Sequence, residues 1–128
     1  MATNITQGSQ IMTESWTNGT GSDVSSGAIV AIGGTGTATL AVATVDIADG
    51  ATGEVAYNCI VTAPKVSAAV FTQGEGLLWD KSAGKFDDNA ATAASGDVLN
   101  SARAVVAGAN TETTCSVLLT GNPGTLTA

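Results

Sequence analysis

The sequence predicts an all-β protein: a small β-barrel or sandwich of short antiparallel strands with an extended N-terminal arm. Three observations predict it. Apolar segments are short and recur at roughly 8–12-residue spacing, the rhythm of sandwiches and barrels. Val, Ile and Thr dominate those segments, and β-branched side chains suit a pleated surface. Glycine, present 16 times in 128 residues, falls between them, where turns need positive φ. The length allows one core and no second domain.

Residues 1–26 are polar and rich in Thr, Ser, Gly and Asn, with isolated apolar residues at Ile5, Ile11 and Trp16. They are read as an extended arm, with Asn18-Gly19 as a tight-turn signal for a short hairpin. A disordered tail is the alternative; with only two Trp in the chain, Trp16 argues against complete disorder.

Residues 27–128 are read as a single β domain. Gly27 to Ile32 is a short apolar run closed by Gly33-Gly34, and Thr37 to Ile47 is a second strand ending at Asp49-Gly50. Glu54 to Thr62 alternates, which places Val55, Tyr57, Cys59 and Val61 on one face before Pro64 stops the strand. Turns at residues 72–76 and 82–85 flank Leu77-Leu78-Trp79, and Lys85-Phe86 begins the return. Trp79, between two turns and after two leucines, is expected in the core. Val98 to Ala107 is apolar on both faces, a strand with a helical rival over 98–106. Thr113 to Thr120 is the last predicted strand, with Thr113, Cys115, Val117 and Leu119 on one face; Gly121 and Pro123 open a tail. A short helical turn near Ser67 is the other helical candidate.

Charge narrows the function. Only 12% of residues are charged, about half of the usual ~25%. A protein so sparsely charged hides surface against partners, or simply has a weakly charged β surface. The balance is eleven acids to four bases, a net −7. Lys65, Lys81, Lys85 and Arg103 form no basic run, so no nucleic acid and no anionic membrane surface is expected as a partner. No stretch has the roughly 18 apolar residues of a membrane span. Met1 to Gln7 lacks the basic and apolar regions of a secretory signal, so synthesis and use in the cytoplasm are expected. Cys59 and Cys115 then read as free buried thiols; a disulfide would require their strands to be neighbours.

Catalytic machinery is not legible. The chain has no histidine, which excludes Ser-His-Asp and Cys-His arrangements. Two cysteines without a His partner make no zinc pattern. Asp46 and Asp49, like Asp87 and Asp88, read as turn residues; their spacing is not that of a calcium loop. Gly84-Lys85 ends like a P-loop, but Phe86 replaces the hydroxyl residue and Trp79 stands where the first Gly belongs. Gly33-Gly34-Thr35-Gly36 lacks the following helix of a dinucleotide site. No catalytic residue, no cofactor and no metal site is expected.

Four blocks carry a resemblance. They are Asp46-Ile47-Ala48-Asp49-Gly50 with Gly53-Glu54, Cys59 to Lys65 ending in Pro64-Lys65, Phe71 to Asp80 with Gln73-Gly74-Glu75 and Trp79-Asp80, and Ser82-Ala83-Gly84-Lys85-Phe86. In this order, over roughly residues 27–120, they resemble a family of small tailed-phage head proteins, the capsid decoration or cement proteins. Cys59, where Gly is usual, and the long polar arm depart from the family pattern. Members are often labelled recombinases of the RecA/RadA type, a label at odds with the missing nucleotide and DNA sites. The resemblance implies a structural virion protein on the outer capsid surface, made in the host bacterial cytoplasm. Its partner would be the major capsid protein, whose subunits it bridges to stabilise the head.

Low charge and alternating strands further predict a homo-trimer at threefold or quasi-threefold positions, with a dimer as runner-up. Ile5, Ile11 and Trp16 are the expected contacts to capsid or a neighbouring subunit, because an arm without its own core gains by docking; a frayed terminus is the alternative. Rival functions are another virion β module, such as a tail or fibre component, and a cell-surface binding module. The latter normally brings a signal peptide and exposed aromatics.

Overall fold

A computed structural model describes residues 4–7 and 10–128. These residues form eleven strands and no helix, so the all-β prediction holds. In chain order they are β1 (Ile5–Gln7), β2 (Met12–Thr17), β3 (Ile29–Gly33), β4 (Thr37–Ala43), β5 (Thr52–Tyr57), β6 (Cys59–Pro64), β7 (Gly76–Asp80), β8 (Lys85–Asp87), β9 (Val98–Ala104), β10 (Thr114–Leu119) and β11 (Gly124–Leu126). One antiparallel sheet runs β1-β6-β10-β9-β11-β4-β5-β2 and curls into a half-barrel. Strand β3 adds to β4, and the β7–β8 hairpin adds to β9.

Two strands are shared. Residues 38–42 of β4 pair with β3 on one edge, while its other edge meets β11 at Thr37 and Ala38 and β5 at Val42 and Ala43. Strand β9 likewise holds β7 on one edge and divides the other between β11 and β10. Between these divisions Ser101 acts as a bolt. Its buried Oγ accepts from Leu40 N–H at 2.9 Å and donates to Asn122 O at 2.8 Å. Gly124 makes the seam passable: a Cβ there would run into the backbone of Leu99 and Ser101.

Burial follows the alternation. Cys115, Val117 and Leu119 of β10 face inward, as predicted. They join Leu40, Val42, Cys59, Val61, Leu77, Phe86 and Val98 in the main core. Trp79 is in this core, 8% exposed, with its ring 4.9 Å from Phe86 in an edge-on arrangement at 61°. A second cluster, Val30, Ala41, Ala43, Ile47 and Val55, fills the opposite face of β3–β4–β5.

Five local readings are decided by the structure: the strand over Val98–Ala104 holds against its helical rival, and four others change. The run 54–62 is two strands, because Asn58 adopts φ 58° and interrupts the pleat. Val55 therefore faces the second cluster while Cys59 and Val61 face the main core, and the four residues do not share a face. Val98–Ala104 is strand and not helix, since neighbours on both edges take its backbone groups; Asn100 at φ 69° breaks its alternation. Near Ser67 there is one turn, closed by Ala69 N–H to Val66 O. The tail after Gly121 contains β11, which sits in the middle of the sheet.

The fourth change is at Asn18-Gly19, which makes no hairpin: β2 pairs with β5, not with β3. Asn18 is fully buried instead. Its Nδ2 donates to Ser22 O and Ile47 O, and its Oδ1 accepts from the Thr20 N–H and hydroxyl.

Candidate interaction surface

The polar N-terminal segment is extended, and its strands add to the sheet. Strand β1 sets Ile5 opposite Val61 of β6; β2 pairs along β5 from Met12–Tyr57 to Thr17–Thr52. Ile5 and Ile11 lean on the main core and Trp16 on the second cluster, each half-buried. The three predicted contact residues thus anchor the segment to its own chain at two different places and keep part of their surface open.

The carboxylates singled out in the sequence accept backbone N–H groups. Asp46 takes Ser26 N–H, Asp49 takes Gly21 N–H, and Asp88 takes Ala90 N–H. These are turn-stabilising bonds. Cys59 and Cys115 lie on neighbouring strands, yet Cys59 stands opposite Leu119 and Cys115 opposite Ala63. Four residues of offset is about 13 Å along a strand, beyond the ~7 Å Cα limit of a disulfide. Both are free and buried, and burial raises the Cys59 thiol and pushes that of Cys115 up to about 11.

Lys65 is the residue that sequence reasoning missed. It is fully buried, and its Nζ donates to Val66 O at 2.9 Å, Ser67 O at 3.1 Å and Glu112 O at 3.3 Å. It also lies over the Phe71 ring, 5.9 Å from the centroid. The ammonium ties the loop after β6 to the loop before β10. Exposed apolar side chains sit in two separate places: Val70 and Val106 near the Phe71–Gly108 pairing, and Met12 and Val45 beside β2 and β5.

A groove of about 870 Å³ runs along β3, from Trp16 at one end to Trp79, Lys81 and the C-terminal residues at the other. Both tryptophans of the chain line it; none of the eleven carboxylates does. Lys81 is exposed, and its stem crosses Gly96. Sequence alone offered no sign of this groove, because its walls come from segments more than sixty residues apart.

Among the described residues, the groove with Lys81 and the exposed apolar side chains are the surface features a partner could meet. The family comparison makes this specific. The sequence model described as phage cement protein matches residues 3–119, and the chain belongs to that family. It is a structural capsid-binding protein of bacteriophage. Comparison with curated proteins found no match.

Proposed function

We propose that this chain binds the outer face of the assembled phage head and stabilises it by bridging neighbouring capsid subunits, acting by contact and not by catalysis. Family membership over residues 3–119 carries the reading. The separation of its exposed apolar spots supports it, since a protein that bridges subunits needs at least two contact faces. Several weak contacts made together hold far better than one, because each later contact forms at high effective concentration. The −7 charge supports an outer position, away from packaged DNA.

The working unit is a homo-trimer at threefold or quasi-threefold positions of the major capsid protein, made in the host cytoplasm before it joins the head. Residues 1–26 serve as the arm of the 27–128 domain, with the open parts of Ile5, Ile11 and Trp16 reaching the capsid or a neighbouring subunit. Electron microscopy of heads with and without the protein tests this, combined with the temperature at which each releases DNA. Density across subunit joints and earlier release from bare heads are expected. Binding within single subunits, or equal release temperatures, overturns bridging. Light scattering that finds a monomer, with isolated copies on the head, overturns the trimer.

A further inference from the structure

One edge of β3 is open among the described residues, where β3 pairs only with β4. The ladder shows which of its groups face outward. Leu40 N–H turns away from β3 to Ser101 Oγ, and Thr44 N–H turns away to Glu54 O. Ala43 N–H turns toward it, to Ala28 O. Alternate residues of an antiparallel strand point their groups to opposite sides. Thr39 and Ala41 therefore bond Ile32 and Val30, and Ile29, Ala31 and Gly33 present N–H and C=O outward, into the groove.

A free, straight edge strand is an aggregation hazard that proteins normally blunt with charge, proline or cover. β3 reads Ile-Val-Ala-Ile-Gly and carries none of the first two. The rest of the chain is acidic, yet no Asp or Glu side chain lines the groove beside this edge, and Lys81 does. Half-buried Trp16 offers an apolar wall, while Trp79 shows only a rim of its buried ring. An edge of five residues matches an extended segment of about 17 Å.

We propose that the β3 edge and its groove take one extended, apolar segment of the capsid protein as an added strand, with an acidic side chain of that segment set against Lys81. Main-chain hydrogen bonds supply the hold, and Trp16 and Lys81 supply the selection. This rests on the capsid-binding reading above and adds the mode of binding.

The test uses the full chain and phage heads prepared without it. Amide exchange at Ile29, Ala31 and Gly33 is measured for the free protein and on heads. Binding is compared for the parent, Ala31→Pro, which removes one outward N–H and leaves the β4 ladder intact, and Lys81→Glu, which is exposed and leaves the fold unchanged. Protection of the three amides only on heads, with binding about tenfold weaker in each variant, is the expected result. If the parent binds heads while these amides still exchange freely, or Lys81→Glu binds like the parent, strand addition is overturned and capsid binding stands. Protection that appears in the free protein as its concentration rises assigns the edge to a second copy and overturns the capsid segment as occupant. If the parent does not bind heads, the capsid-binding reading falls and this inference with it. Should Ala31→Pro fail to fold, the exchange pattern and Lys81→Glu still decide.

Discussion

Replacing Lys65 by Met tests whether a buried ammonium holds two loops together. Methionine keeps most of the stem and its contact with Phe71, so the change isolates the charge. Lost with it are donors to Val66 O, Ser67 O and Glu112 O, all within 3.3 Å. These acceptors are backbone and cannot be replaced along with the lysine. Val66 O keeps its bond from Ala69 N–H and Ser67 O its bond from Thr111 N–H, so Glu112 O is the acceptor most exposed to the loss. A buried acceptor left unpaired costs about 1–3 kcal/mol, and with the two weakened acceptors added about 2–3 kcal/mol is the expected loss. At roughly 3–6 °C per kcal/mol for a chain of this size, the variant should melt at least about 6 °C below the parent. Thermal unfolding followed by circular dichroism reads this, with exposed Lys85→Met as control, expected within about 0.5 kcal/mol of the parent. A Lys65→Met protein that melts within about 2 °C of the parent, under a working control, would refute the assignment.

Three further outcomes follow from the packing. Trp79→Ala should lose about 3–5 kcal/mol and Trp79→Phe much less, by denaturant melts; an Ala variant as stable as the parent removes Trp79 from the core. Ser101→Ala strips Leu40 N–H of its acceptor and should cost about 1–3 kcal/mol, with faster amide exchange at Leu40 as the local mark. Burial pushes Cys115 up to about 11 against an unfolded value of 9.0, with Lys65 opposing and Glu112 adding. Folding therefore favours the protonated thiol: its contribution is complete below pH 9 and lost as pH rises toward about 11. Unfolding free energy measured from pH 8 to 11 should fall, and fall less in Cys115→Ala; equal slopes would refute the burial effect.

What could be read from the sequence was whatever depended on neighbours in the chain. Alternation placed Cys115, Val117 and Leu119 inward, and the turns on either side of Leu77-Leu78-Trp79 marked β7 correctly. What depended on partners far along the chain was hidden. Asn58 carries no local sign that it flips the pleat, and the alternation ran through it undisturbed. Asn18-Gly19 has the composition of a hairpin turn, but the partner that decides its fate is Ile47. Lys65 reads as a surface charge after a proline, and only the return of residue 112 seals it. Strand β11, three residues among Gly, Pro and Thr, has no apolar pattern; it is a strand because β4 and β9 leave a gap of its width. The groove along β3 is invisible for the same reason, since arm, strand and tail residues meet to line it.

The position of β11 orders the making of the protein. A ribosome releases the chain from its N-terminus, and β11 follows the other ten strands in chain order. Until they do, the nascent molecule holds two unfinished half-sheets, β3–β4–β5–β2 and β7–β9–β10–β6, with no strand to join them edge to edge. The long connections that β11 closes, to Ala38 and to Leu99, are the kind that make β proteins fold slowly. Closure of the sheet therefore waits for β11, a clasp of three residues that slides between two strands already in place.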